Sequence, residues 1–131
     1  MASRAGSKHI LIADDAASSR DLLRAILETA SYEVSEAANG EQALEMAVAF
    51  KPDLIVLDLQ MPKLGGYEAA AVLRAMPGLA LTPIVALTAA ATHTWPKRLF
   101  EAGFSAYLVK PIGPAKLREC IAALLFTTDG L

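Results

Sequence analysis

Short apolar runs recur along the chain, and each gives way to polar residues and then to a stretch with helical spacing. His9-Ile10-Leu11-Ile12-Ala13 stops abruptly at Asp14-Asp15, which reads as a buried strand closed by acid. Ser18 or Ser19 then caps a helix on which Leu22, Leu23, Ile26 and Leu27 recur at helical steps. Tyr32-Glu33-Val34-Ser35-Glu36-Ala37 alternates apolar and polar positions as a half-exposed strand does. Asn39-Gly40 turns it into a helix carrying Leu44, Ala47 and Val48.

Leu54-Ile55-Val56-Leu57-Asp58 follows Pro52 and suits a strand buried on both faces of a parallel sheet. The loop Leu59-Gln60-Met61-Pro62-Lys63-Leu64-Gly65-Gly66 then permits tight backbone geometry before a third helix over 67–75, which ends at Pro77-Gly78. Ile84-Val85-Ala86-Leu87-Thr88 is a fourth strand, ending in a hydroxyl. An alanine-rich stretch leads to a helix over 97–102 that stops at Gly103. Tyr107-Leu108-Val109-Lys110-Pro111 is a fifth strand ending in a cation. Pro114 suits the first turn of a last helix, with Leu117, Ile121, Leu124 and Leu125 on its inner face.

Strands alternating with helices, without an internal repeat, predict an α/β fold with helices on both faces of a parallel sheet. Right-handed crossovers make it doubly wound, with five strands in the order 2-1-3-4-5 and five helices, the flavodoxin-like arrangement. Residues 1–8 read as a disordered leader, 9–125 as the domain and 126–131 as a short tail. No further domain is expected within the chain, which reads as a stand-alone protein or as one domain of a larger one.

Composition narrows the function more than the fold. The chain has 131 residues, enough for one domain that buries roughly 68% of its unfolded surface. A net charge of -2 offers no electrostatic footprint for nucleic acid and argues against direct DNA binding. The lone Cys120 excludes an intramolecular disulfide and reads as a small apolar helix residue. No apolar run reaches the ~18 residues a membrane span needs, and no signal-peptide pattern opens the chain. A cytoplasmic protein without membrane insertion is expected. His9 and His93 lack the paired spacing of metal ligands.

The chemistry gathers at strand ends. In open α/β sheets the working groups lie at the carboxyl ends of the strands, where Asp58 stands. Taken alone, Asp58 serves equally well as a turn or cap residue, and Asp14, Asp15, Thr88, Lys110 and Tyr107 each have a structural reading too. The strand order nevertheless sets the first and third strands side by side, which brings Asp14, Asp15 and Asp58 to one end of the sheet. Three carboxylates in one pocket repel one another, and a hard divalent ion such as Mg2+ resolves the conflict. Asp58 is then a candidate nucleophile toward phosphorus, with Thr88 and Lys110 arriving to share the phosphoryl oxygens.

In combination, Asp14-Asp15, Asp58 in Asp-Leu-Gln-Met-Pro, Gly65-Gly66, Thr88-Ala89 and Tyr107 with Lys110-Pro111 resemble the receiver domain of two-component response regulators, a CheY-like fold. The resemblance covers residues 9 to about 125 and implies a phosphorylation-dependent switch in a phosphorelay. By it, Asp58 is the phosphoacceptor, supplied by a histidine kinase or histidine phosphotransfer protein. Asp15 is a direct Mg2+ ligand, Asp14 a ligand mostly through water, and Asp58 and the main-chain carbonyl of Gln60 complete the protein's share. Thr88, Ala89 and Lys110 bind the phosphoryl group, and the Lys110–Pro111 bond is cis. Thr88 and Tyr107 form the switch, which changes the surface of the fourth helix, fifth strand and fifth helix for a downstream protein target. The resemblance implies no enzyme beyond slow self-dephosphorylation, and a monomer or a weak phosphorylation-dependent dimer.

Two features depart from the family pattern. The segment after Thr88 carries Trp95, either a partner anchor or a packing residue, where charged residues are more usual. Gln60 and Ala90 hold the positions associated with phosphoryl lifetime, and neither is acidic. Competing readings are a docking module that is never phosphorylated and an aspartate-nucleophile phosphatase. The phosphatase usually carries a second acid two residues after its nucleophile, where this chain has Gln60. A flavin or nucleotide binder would want a glycine- or hydroxyl-rich loop where Asp14-Asp15 stand.

Overall fold

The structure is a computed structural model and describes residues 7–89 and 97–128. Its elements are β1 (His9–Ala13), α1 (Ala17–Thr29), β2 (Glu33–Ala37), α2 (Gly40–Phe50), β3 (Leu54–Asp58), α3 (Gly66–Ala75), β4 (Ile84–Thr88), α4 (Lys97–Glu101), β5 (Ala106–Val109) and α5 (Pro114–Thr128). All strand pairs are parallel, in the order β2-β1-β3-β4-β5.

The two-residue period of the central strands explains why both faces are covered. Leu11 and Ala13 of β1, Ile55 and Leu57 of β3, and Ile84 and Ala86 of β4 point to one face. There they pack on Ala43 and Ala47 of α2, Ala69, Ala70 and Leu73 of α3, and Leu99 of α4. Ile10, Ile12, Leu54, Val56, Val85 and Leu87 point to the other face, against Leu23, Ile26 and Leu27 of α1 and Leu117, Ile121 and Leu125 of α5. Alanines on α2 and α3 keep those helices close to the sheet, because a small side chain fills little of the gap. β3 is buried at every position, as a central strand between β1 and β4 must be.

Several local expectations are corrected. Neither Ser18 nor Ser19 caps α1: the cap is Ala16, with extended backbone and no side-chain cap bond, and both serines lie inside the helix. The physical reason is that the Ala16 carbonyl already accepts the Arg20 N–H at 3.1 Å, so the first helical turn begins ahead of both serines. Leu22 and Val48 are each 53% exposed rather than inward-facing. The buried stripe of α1 runs through Leu23, Ile26 and Leu27, and that of α2 through Ala43 and Ala47. α5 continues to Thr128. The Lys8 carbonyl accepts the Glu33 N–H at 2.9 Å. Trp95, Ala90 and His93 lie outside the described residues.

Candidate functional site

Strand register assembles the site. Ala13 pairs with Leu57, so the next residues, Asp14 and Asp58, leave the sheet side by side. Asp58 pairs with Leu87 and Thr88 with Val109, which carries Thr88 and Lys110 to the same end. Backbone bonds hold this edge: Leu59 N–H to the Leu87 carbonyl at 3.0 Å, and Lys110 N–H to the Thr88 carbonyl at 2.8 Å. The Lys110–Pro111 peptide is cis. Gly66 lets the start of α3 close over the strand end, since a Cβ there would lie 2.5 Å from the Asp58 carbonyl oxygen and 2.8 Å from Leu59 Cα.

The carboxylates meet one ammonium. Lys110 Nζ donates to Asp58 Oδ2 at 2.8 Å and to Asp14 Oδ2 at 2.9 Å, and Gln60 N–H donates to Asp58 Oδ1 at 2.9 Å. Asp14 is fully buried and Asp58 nearly so, at 6% exposure, whereas Asp15 stands open to solvent. Asp15, Asp58, Gln60, Thr88, Ala89 and Lys110 line one cleft of about 880 Å³, together with Leu59, Tyr67 and Glu68. Tyr107 sits half-buried against the core layer beneath α2, α3 and α4.

Environment separates the two inner acids. Burial pushes the Asp58 carboxyl above its ordinary 3.8 and outweighs the Lys110 ammonium and the Gln60 N–H, with the Asp14 charge adding to the rise. Burial also works against the Asp14 anion, but Ser19, the Ala16 N–H and Lys110 together hold Asp14 below 3.8. Burial disfavours the Lys110 cation too, yet its bonds to Asp58 and Asp14 carry it above 10.5. Asp14 is thus the fixed anion of the pair and Asp58 the one less saturated with donors.

This donor set suits a hard cation. One carboxylate oxygen from each of Asp14, Asp15 and Asp58 lies within 4.8 Å of the others, and all are the oxygen type that Mg2+ prefers. The excess of negative charge, with one lysine against three acids, leaves room for a divalent ion.

Four participants escape a reading of the sequence. Ser19 Oγ donates to Asp14 Oδ2 at 2.5 Å, and Arg20 Nη1 donates to the Asp14 carbonyl at 2.8 Å while its Nε holds Glu36 at 3.0 Å. Tyr67 lines the cleft, with the Arg98 guanidinium 3.8 Å above its ring centre and Phe104 against its edge at 6.0 Å. A hydroxyl one turn after a buried acid is a usable signal for Ser19, but it competes with the cap reading. Nothing local pairs Tyr67 with Arg98, since that contact exists only once α3 and α4 share a face.

A parallel sheet with acids, a hydroxyl and a lysine converging at one end defines a receiver-type phosphoacceptor fold. The model of the response regulator receiver domain matches residues 10–122, and the chain belongs to that family. It is 39% identical over 123 residues to the transcriptional regulatory protein SrrA of Staphylococcus aureus. That match takes in 94% of this chain and 50% of SrrA, so the chain spans about half the length of the curated relatives it matches. Among solved structures, a response regulator from Chloroflexus aurantiacus is 33% identical with a TM-score of 0.87, covering 92% of this chain and 98% of that one. The receiver domain of the sensor histidine kinase PA1611 from Pseudomonas aeruginosa, solved with a magnesium ion in its active-site cleft, is 31% identical with a TM-score of 0.84 over the same shares. No helix among the described residues is long and apolar enough to cross a membrane.

Proposed function

We propose that this domain is a phosphorylation-dependent switch that accepts a phosphoryl group on Asp58 from the phosphohistidine of a histidine kinase or phosphotransfer protein, in the cytoplasm. The observation that carries the reading is Asp58 at the lip of the cleft, with Lys110 2.8 Å from one oxygen and the Gln60 N–H 2.9 Å from the other. A carboxylate so held presents a lone pair in a fixed direction, and positioning with charge stabilisation is most of what phosphoryl transfer asks of a protein. An Asp58 oxygen forms the new O–P bond as the N–P bond breaks, and its electron pair returns to the donor imidazole. Lys110 then moves its charge from the two carboxylates toward the phosphoryl oxygens, while the Thr88 hydroxyl and Ala89 N–H offer hydrogen bonds.

Asp14, Asp15, Asp58 and the Gln60 carbonyl are the groups that would hold Mg2+, Asp14 mostly through water. The ion supplies positive charge to phosphoryl oxygens that would otherwise be repelled by three carboxylates. Thr88 and Tyr107 form the switch, and the surface of α4, β5 and α5 is what a downstream protein reads. Gln60 carries no acidic side chain to act as an added general base for hydrolysis of the acyl phosphate. Gln60 in place of a second acid also disfavours the phosphatase reading.

Intact mass after incubation with magnesium and acetyl phosphate tests the assignment. One added phosphoryl group that requires magnesium and is lost in Asp58→Asn is the expected result. A folded protein that binds magnesium and gains no mass overturns the phosphoacceptor role and leaves a docking module.

A further inference from the structure

Asp14 is fully buried, so every lone pair it commits has to be matched inside the protein. Its Oδ1 accepts the Ala16 N–H at 3.0 Å; its Oδ2 accepts Lys110 Nζ at 2.9 Å and Ser19 Oγ at 2.5 Å. An ionised carboxylate has about four acceptor sites, and three are already taken. Of the three donors, Ala16 N–H is fixed by the backbone and Lys110 is shared with Asp58. Ser19 alone belongs to a side chain that serves only Asp14 among the bonds described, and it reaches back from the first turn of α1.

The neighbouring residue holds the same acid from another side. Arg20 Nη1 donates to the Asp14 carbonyl at 2.8 Å, with its Nε on Glu36. Main chain and side chain of Asp14 are therefore both anchored to consecutive residues of α1. When Lys110 turns to a phosphoryl group, Asp14 loses a donor; the Ala16 N–H still holds Oδ1, and Ser19 is the one remaining donor that holds Oδ2 among the bonds described.

We infer that Ser19 is a positioning residue for magnesium: by locking the Asp14 carboxylate it fixes the direction in which the remaining Asp14 lone pair faces the ion or its water. This inference rests on the proposed reading of the acidic cleft as a magnesium site. Hydrogen-bond partners behind a metal-ligating carboxylate typically contribute about 10- to 100-fold in affinity, and a contact made through water belongs at the lower end of that range.

Titration calorimetry with magnesium alone, on wild type, Ser19→Ala, Ser19→Cys and Ser19→Thr, tests it without any phosphodonor. Ser19→Ala is expected to weaken magnesium binding about tenfold, Ser19→Thr, which keeps the hydroxyl, to stay within about twofold of wild type, and Ser19→Cys, a weaker donor of similar size, to fall between. If Ser19→Ala does not fold, Ser19→Cys against Ser19→Thr carries the comparison. Wild-type binding that is equalled or exceeded by Ser19→Ala or Ser19→Cys overturns the role of Ser19 and leaves the magnesium site standing. A wild-type protein that takes up no magnesium overturns the reading of the cleft itself, and the inference with it.

Discussion

Lys110 Nζ lies 2.8 Å from Asp58 Oδ2, and because the same ammonium holds Asp14 at 2.9 Å, one flexible side chain neutralises two buried acids. The lysine side chain keeps 28% of its exposure, so the pair is anchored in protein yet reachable from the cleft. Removing it leaves two carboxylates side by side with less than one charge's worth of compensation. Lys110→Ala is expected to cost about 2 to 3 kcal/mol, below the usual figure for a fully buried pair because solvent reaches the site. Urea denaturation in a chelator measures the loss. Repeating it in excess magnesium should recover part of that stability, since an ion bound only by the folded state shifts the balance by mass action. Equal stability of wild type and Lys110→Ala in the chelator would contradict the claim.

Gly66 has a narrower job. Its absent Cβ is what allows the first turn of α3 to lie on the Asp58 carbonyl and Leu59 Cα, both of them backbone that cannot swing aside. Gly66→Ala gains helix propensity of about 1 kcal/mol and meets an overlap that forces α3 away from the strand end. A net destabilisation of about 1 to 3 kcal/mol is expected by thermal or urea unfolding, accompanied by slower phosphoryl uptake because Asp58 moves with its carbonyl. A variant as stable and as reactive as wild type would show that the loop absorbs the methyl group.

Much of this arrangement is legible in the sequence because its signals are local. Four aliphatic residues before Asp58 predict a strand buried on both faces, and β3 is buried throughout. Acid, hydroxyl and cation at successive strand ends become a site as soon as the strand order is known. What escapes is whatever depends on which of two compatible helical stripes turns inward. Leu22 and Leu23 are both spaced correctly from Ile26, and only packing against β1 and β3 selects Leu23. Ser19 fails for a related reason. Its residue type signals a cap, but the helix begins ahead of it at Ala17 and the hydroxyl turns to the acid instead. Long-range partners such as Arg98 and Tyr67 leave no mark on either segment.

Glu36 on β2 joins Arg24 and Arg20 of α1, and its titration makes a pH prediction away from the cleft. The Arg24 hydrogen bond is the largest influence on Glu36; against the opposing effect of burial, and with Arg20 adding, it holds the carboxyl below its ordinary 4.5. A folded-state value below the unfolded one means the folded chain binds fewer protons in that range. The contribution is complete above pH 4.5, declines as pH falls through the lowered value, and is gone beneath it. Both arginines retain some exposure, so the network is worth about 1 kcal/mol. Urea unfolding of wild type and Glu36→Gln should therefore differ by about that much at pH 7 and converge as the pH falls beneath the lowered Glu36 value. A gap that persists unchanged into acid would assign the difference to packing instead.

Arg74 near the end of α3 stitches two loops with no carboxylate partner described. Its Nε and Nη2 donate to the Gly103 carbonyl at 3.0 and 2.7 Å, and its Nη1 reaches the carbonyls of Leu79, Ala80 and Thr82 at 3.2, 3.1 and 2.6 Å. Burial pushes this guanidinium below its ordinary value, which is the cost that the carbonyl dipoles offset. The planar fork matters more than the charge, because donors facing the α3–β4 loop and the α4–β5 turn have to leave one group in different directions. Gly103, at φ 99°, presents its carbonyl from a backbone conformation that a glycine tolerates. Arg74→Ala is expected to cost about 2 to 3 kcal/mol, and Arg74→Lys to recover less than half of it, since an ammonium at that reach serves one loop at a time. Urea midpoints for the two variants decide the point, and a lysine that matches arginine would show that positive charge alone holds the loops together.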